Sequence, residues 1–296
     1  MSAGTHGGNS PREQAVHLPH GRGQVAVKVW PGVLPKSEPV LAVHGWMDNA
    51  ATFDRLAPLL PQVTWHAMDL AGHGLSDSRP DGYRYHNADY LDDLLAVMDA
   101  IAPDRPLRLL GHSLGAGLCL LLAGIFPERV SRLVLIEGLG PLTATPDDYA
   151  SQARDALDSW SRFQPGRRII PDMDTAVQAR MNGLTGALSE PAARLLCERS
   201  LRQESGTLSW RTDKRLRQSS LMRFSEAQVL SCIRAITAPT LLVRGESGMP
   251  FDHALAQARV AAFRDLAVVS LPGGHHLHLD ESPEAVAAAI AGFWAD

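Results

Sequence analysis

Disulfide chemistry has little to work with in this chain. Among 296 residues only Cys119, Cys197 and Cys232 are cysteine, an odd number, widely separated and set in helical patterns. With no Cys-x-x-Cys pair to hold a metal or carry redox chemistry, the three read as small buried hydrophobes in a reducing compartment. Long apolar runs are missing too. Leu118–Ala123 and the stretches like it are far too short to cross a bilayer, which takes about 20 residues. Residues 1–15 begin small, polar and glycine-rich, without the apolar stretch of a secretory signal. Nor is there a strong charge of one sign. Lys and Arg number 28 against 32 Asp and Glu, a net charge of −4, too mild to imply a nucleic-acid partner or attraction to a membrane surface. These absences lead to the expectation of a cytoplasmic protein with no membrane span, acting on a small molecule.

What is present is a core-forming composition, 45% hydrophobic and 20% charged, enough for one sheet-centred core plus an insertion. Gln24–Trp30 alternates apolar and polar residues, as a half-exposed strand does. Pro39–His44, Val63–Met68, Leu107–Leu110, Leu133–Ile136, Thr240–Val243 and Ala267–Leu271 are further strand candidates, several of them apolar throughout, the pattern of strands covered on both faces. Between them the spacing predicts helices over Ala50–Leu60, capped by Asn49 and halted by Pro61, and over Asn87–Ala102, Gly115–Phe126 and Glu284–Trp294. Strands separated by helices predict an α/β fold with a mainly parallel sheet and helices on both faces.

From Pro141 to Glu226 the alternation stops, and the segment reads as helices with no clear strand. The expected organisation is a flexible tail over 1–15, a core over 16–141 and 227–296, and a helical cap over 142–226. The segment from Ala150 to Phe224 holds 13 cationic and 8 acidic side chains, a local charge of +5 in a chain of −4. One reading is a cationic cap that draws in an anionic substrate. The other is a solvated helical surface paired with the acidic remainder, the commoner fate of charge runs.

Gly111-His112-Ser113-Leu114-Gly115 places a serine between glycines where a strand gives way to a helix. Such a turn holds its serine in a strained backbone conformation, and small residues two positions away let strand and helix approach. A serine hydroxyl is a poor nucleophile and needs a base to accept its proton. His275 suits that role, following Gly273-Gly274 on the loop after the last strand, with His276 and His278 as rivals. A His-His-x-His cluster also raises a metal site, but adjacent side chains diverge and no carboxylate or cysteine stands upstream at ligand spacing. His278 is expected to pack on the sheet, His44 to make structural hydrogen bonds, and His112 to point away from the nucleophile.

Four segments arrive in an order that resembles the α/β-hydrolase superfamily: His44-Gly45-Trp46-Met47-Asp48-Asn49, Asp69-Leu70-Ala71-Gly72-His73-Gly74-Leu75-Ser76, the Ser113 turn, and Pro272-Gly273-Gly274-His275-His276-Leu277-His278-Leu279. The tryptophan after His44-Gly45, together with Trp210-Arg211-Thr212-Asp213, is most similar to the group described as serine hydrolase-like proteins. The resemblance implies an α/β-hydrolase fold, with a mostly parallel eight-stranded sheet and a helical cap. It implies Ser113 as nucleophile, His275 as base, and an oxyanion hole formed by the backbone N–H groups of Trp46 and Leu114. Trp46 and Met47 would line a largely apolar substrate pocket.

The acid departs from the commonest family pattern, which has an aspartate three residues past the glycine ending the seventh strand. Here Gly245-Glu246-Ser247-Gly248 puts glycine at that position. Glu137, directly after Leu133–Ile136, is the leading candidate, since some members of the superfamily carry their acid there. Glu246 and Asp252 are rivals, and the alternative role for Glu137 is a salt bridge anchoring the cap. A serine nucleophile argues against the dehalogenase and epoxide hydrolase relatives, which attack with aspartate. Carbon–carbon hydrolases of the fold usually have a tryptophan soon after the histidine, where this chain has His276-Leu277-His278. The expectation is therefore carboxylic ester hydrolysis through an acyl-enzyme, on a small, largely apolar acyl substrate, with no cofactor and no metal. An acyltransferase or perhydrolase with the same triad is the alternative, and a ligand-binding member that no longer turns over is the reading from a different class.

Overall fold

The computed structural model describes residues 10–34, 37–166, 168–183, 186–204, 206–250 and 252–295. Residues 1–9 of the expected tail and Arg167 of the cap's cation count lie outside the described residues. The chain runs through β1 (Arg12–His17), β2 (Gln24–Trp30), β3 (Val40–Val43), β4 (Trp65–Met68), α1 (Asn87–Ile101), β5 (Leu107–His112), α2 (Leu114–Ile125) and β6 (Val130–Ile136). An insertion follows, with α3 (Tyr149–Ser161), β7 (Ile169–Ile170), α4 (Met173–Met181), α5 (Glu190–Ser200), β8 (Leu201–Glu204) and β9 (Thr207–Trp210). Then α6 (Glu226–Ala235), β10 (Thr240–Gly245), α7 (His253–Ala262), β11 (Leu266–Leu271) and α8 (Pro283–Ala295) complete the fold.

Eight strands form one sheet in the order β1-β2-β4-β3-β5-β6-β10-β11. The β1–β2 and β2–β4 pairs are antiparallel and every other pair is parallel, so the expected mostly parallel eight-stranded sheet is what forms. Alternate side chains of the central strands enter two cores. Leu41, Leu109, Leu133 and Leu135 pack beneath α1, α2 and α6, while Val40, Leu110, Val134 and Val243 face α8 through Val286 and Ile290. Helix α2 is buried from Gly115 to Gly124, which explains why its sequence is apolar all round rather than on one stripe. Among the described residues no helix is long and apolar enough to cross a membrane.

Three expectations need correction. The tail expected over 1–15 is not flexible throughout, because Arg12–His17 pairs with β2 as an edge strand. Only Val16 of that strand is buried, so no apolar alternation marks it; backbone pairing and the Glu13–Arg199 ion pair hold it instead. The helix expected over Ala50–Leu60 is two separate 3-10 turns, Ala50–Phe53 and Ala57–Leu59. The insertion is not purely helical either: β7, β9 and β8 form a three-stranded antiparallel sheet. Those strands are four residues or shorter and their burial does not alternate, so no period of two marks them in the sequence.

The insertion has its own small core, with Ile170, Val177, Ala193, Leu196 and Cys197, into which Ala51 and Leu279 of the sheet domain also pack. Polar ties reinforce the docking. The Arg199 guanidinium donates to Asp69 at 2.9 and 3.1 Å and to Glu13 at 2.7 and 2.9 Å, and the Asn49 amide donates to Leu196 O and Ser200 Oγ. Arg215 donates to Asp213 and to the carbonyls of Arg79, Pro80 and Tyr83. Part of the cap's positive charge is thus spent on binding the acidic sheet domain.

Candidate active site

Neighbouring parallel strands end side by side, so residues just past β3, β5, β6 and β10 meet along one edge of the sheet. Ser113 follows β5 with φ 52° and ψ −113°, a conformation that costs a non-glycine residue about 1–3 kcal/mol. The glycines on either side are required by contact. A Cβ at Gly111 would fall on the carbonyl of Gly115, and one at Gly115 on the Val43 carbonyl of the neighbouring strand. Glu137, following β6, is held at φ 50°, its N–H donating to Val243 O of β10 at 2.9 Å.

The Glu137 carboxylate accepts hydrogen bonds from the N–H groups of Gly245 at 2.7 Å and Met249 at 3.0 Å. Its Oε2 also accepts from His275 Nδ1 at 3.2 Å. Burial pushes the carboxyl up, but the His275 and backbone hydrogen bonds outweigh it and hold the group below its ordinary range. Gly248, where the common pattern would have aspartate, has no room for a side chain: a Cβ there would fall on the Glu137 carboxylate. The rivals are elsewhere. Glu246 is exposed, and Asp252 caps α7 by accepting from Leu255 N–H at 2.9 Å.

The histidine loop sorts its three histidines by partner. His275 bonds Glu137, whereas His276 Nε2 bonds Asp48 Oδ2 at 3.2 Å. His278 is fully buried, with Nε2 on Thr52 Oγ1 at 3.0 Å and its ring against Phe53 and His112. His112 supports the loop from below, donating from Nε2 to the carbonyl of His275 at 2.8 Å. His44 Nε2 accepts from Leu70 N–H at 2.9 Å and its Nδ1 donates to Gly45 O at 2.7 Å, which pins the turn after β3. In that turn Met47 has φ 66°, and the Trp46 indole donates to Leu216 O of the insertion at 3.1 Å. Leu114 is the first residue of α2, so its N–H lies outside the helical ladder.

One cluster escaped sequence reasoning. Asp48, His112 and His276 are buried together, with one ligand-type atom from each within 4.8 Å of the others. Asp48 is the carboxylate that spacing did not reveal, since its partner His276 lies 228 positions away. Arg180 of α4 also pairs with Asp48, so a guanidinium already supplies the positive charge that a metal ion would bring. Burial pushes the Asp48 carboxyl up, but His276, Arg180 and His112 together hold it well below its ordinary range. The cluster ties the turn after β3, the histidine loop and the cap to one another.

Burial holds His44 and His112 down to about 4 and His73 down to about 3. In the unfolded chain these groups take up protons near 6.5. Below that pH the unfolded state binds more protons than the folded one, so stability falls as pH falls. Urea midpoints should stay level from pH 8 to 7 and drop steadily from 6.5 to about 5, above the range where most carboxylates titrate. A midpoint that holds constant down to pH 5 would contradict the buried neutral histidines.

A cleft of about 1060 Å³ lies between the cap and the sheet domain, bordered by Trp46 and Met47 on one side and by Trp160, Phe163 and Trp210 on the other. Aromatic rings share its wall with Arg162, Arg168, Arg211, Lys214 and Arg217, and of the residues expected around the substrate it takes in Trp46 and Met47 but not Ser113, Leu114 or His275.

A family model of the alpha/beta hydrolase fold matches residues 38–282. A Drosophila melanogaster protein described as a probable serine hydrolase is 33% identical, over 97% of this chain and 88% of its own. The crystal structure of a hypothetical protein from Pseudomonas aeruginosa PAO1 superposes with a TM-score of 0.88 at 38% identity, covering 96% of this chain and 99% of that one. The thioesterase domain from the curacin biosynthetic pathway gives a TM-score of 0.82 at 29% identity, over 96% of this chain and all of that chain.

Proposed function

This chain belongs to the α/β-hydrolase family and is a serine hydrolase of it; on that premise we propose that it hydrolyses carboxylic esters through a Ser113–His275–Glu137 triad, without a cofactor. The observation that carries the reading is the His275–Glu137 hydrogen bond beside the Ser113 turn. Glu137 fixes the imidazole with Nδ1 protonated, leaving Nε2 as the base. Ser113 Oγ attacks the carbonyl carbon while its proton passes to His275 Nε2. The carbonyl oxygen becomes an oxyanion facing the N–H groups of Trp46 and Leu114, each worth about 3 kcal/mol of barrier. As the C–O bond breaks, His275 returns the proton to the departing alkoxide and the acyl group stays on Ser113. Water then repeats the sequence, releasing the acid and restoring the serine. Trp46 and Met47 would contact the substrate as it enters. A cytoplasmic setting belongs to the same proposal and rests on three free cysteines, two of them buried.

Thioester hydrolysis is a second reading, favoured by the likeness to the thioesterase domain. The steps are the same with a thiolate leaving. An acyltransferase or perhydrolase would differ only in what accepts the acyl group. A member that binds without turnover has less behind it, because a serine held on a strained turn and a histidine bonded to a carboxylate are needed for acyl transfer and not for binding.

The test is covalent labelling with a fluorophosphonate, located by mass spectrometry. Wild-type protein should carry the adduct on Ser113 within minutes, and heat-denatured protein should carry none. An adduct on another residue, or none on folded protein that a small ester can reach, would refute the assignment.

A further inference from the structure

The cleft beside Trp46 is electrostatically one-sided. Eight cationic side chains line it and only two acidic ones, Asp81 and Asp213. Three of the cations have carboxylate partners: Arg180 with Asp48, Arg202 with Glu204, and Arg215 with Asp213. Asp213 is fully engaged, since Tyr85 also donates to it at 2.8 Å. That leaves Arg162, Arg168, Arg211, Lys214 and Arg217, for which no carboxylate lies within ion-pair distance among the described residues. They sit on three separate stretches of the cap, after α3, before β7 and after β9, yet face one cavity. Burial pulls the Arg211 guanidinium down, and the positive charge of Arg202 beside it pulls the same way.

A solvated face would spread such charges outward, each with its own hydration. Here they converge on a walled space, and a cleft of one sign concentrates counter-ions and raises their arrival rate by about 10- to 1,000-fold. Guanidinium groups match the paired oxygens of carboxylates and phosphates. The space is also far larger than one small ion, and the aromatic rings of Trp46, Trp160, Phe163 and Trp210 give it apolar wall between the cations. It adjoins the site through Trp46 and Met47, and through Arg180, which reaches Asp48 beneath the histidine loop.

We propose that this cleft binds an anionic group, carboxylate or phosphate, carried by the acyl substrate at a distance from the bond that is cut. The inference rests on the ester or thioester hydrolase reading and adds the substrate class to it. The cap's charge therefore divides between two jobs, Arg180, Arg199 and Arg215 docking it to the sheet domain and Arg162, Arg168, Arg211, Lys214 and Arg217 facing the ligand.

Matched substrates test it and separate the two anion sources. For carboxylate, 4-nitrophenyl butanoate is compared with mono-4-nitrophenyl glutarate. For phosphate, the butanoyl thioester of N-acetylcysteamine is compared with butanoyl-coenzyme A. In at least one pair kcat/KM should favour the anionic member by about tenfold or more, and the ratio should shrink as salt is raised. In an Arg162→Gln/Arg168→Gln/Arg217→Gln protein, all three positions being exposed, that ratio should fall to about one. Binding is read separately by calorimetry, titrating glutarate and inorganic pyrophosphate into Ser113→Ala protein with and without the three substitutions. No preference in either pair, and no binding that the substitutions remove, overturns the anion site. Binding that the substitutions remove, in a protein that cleaves none of the four substrates and takes no label on Ser113, upholds the anion site and overturns the hydrolase reading.

Discussion

Ser113→Ala protein should lose about five powers of ten in kcat on any ester that the wild type turns over, with its circular dichroism spectrum unchanged. Removing the nucleophile leaves the oxyanion donors and the binding cleft in place, so activity falls to the residual that those features support in other serine hydrolases. The backbone supplies a control. Ser113 is held at φ 52° and ψ −113°, strained for any residue with a Cβ. Ser113→Gly should be equally inactive yet more stable than Ser113→Ala by about 1 kcal/mol, read as a higher urea midpoint. Equal stability of the two would mean that the turn is not strained, and retained turnover in either would end the serine mechanism. Loss of activity with loss of fold in both would show a structural residue instead of a nucleophile.

That turn was legible in the sequence because its chemistry is local. Gly111, Ser113 and Gly115 are needed within five positions, and the apolar runs on either side place them at the joint of a strand and a helix. The sheet was legible for a related reason: strands buried on both faces must be apolar throughout, and Val40–Val43 and Leu133–Ile136 are. Strand β1 and the cap sheet were missed because backbone pairing, not side-chain burial, holds them. Asp48 was missed for another reason. Its partners His112, Arg180 and His276 come from three distant segments, and nothing in the spacing of a single sequence brings them together. The same holds for the convergence of cap cations on one cleft, where the count of charges was readable but the direction they face was not.

The acid stands between these extremes. Sequence located the departure, a glycine at position 248 where an aspartate was expected, and the structure supplies its physical complement: the space beside Gly248 is filled by the Glu137 carboxylate. Glu137→Gln should therefore lower kcat by about three to four powers of ten, close to 5 kcal/mol of barrier, because an amide neither fixes the imidazole tautomer nor stabilises its protonated form. The hydrogen bonds from His275, Gly245 and Met249 hold the Glu137 carboxyl below its ordinary range, so it is ionised near neutral pH. Glu246→Gln, at an exposed position, should change kcat less than twofold. The exchange of positions also runs in reverse. Gly248→Asp alone forces two carboxylates into one space and should cripple the enzyme, whereas Glu137→Gly/Gly248→Asp clears that space and restores an acid from the other strand end. The double variant should exceed Glu137→Gly by tenfold or more in kcat. If Glu246→Gln proves the costlier change, or the relocated acid rescues nothing while the protein stays folded, Glu137 is not the group that drives His275.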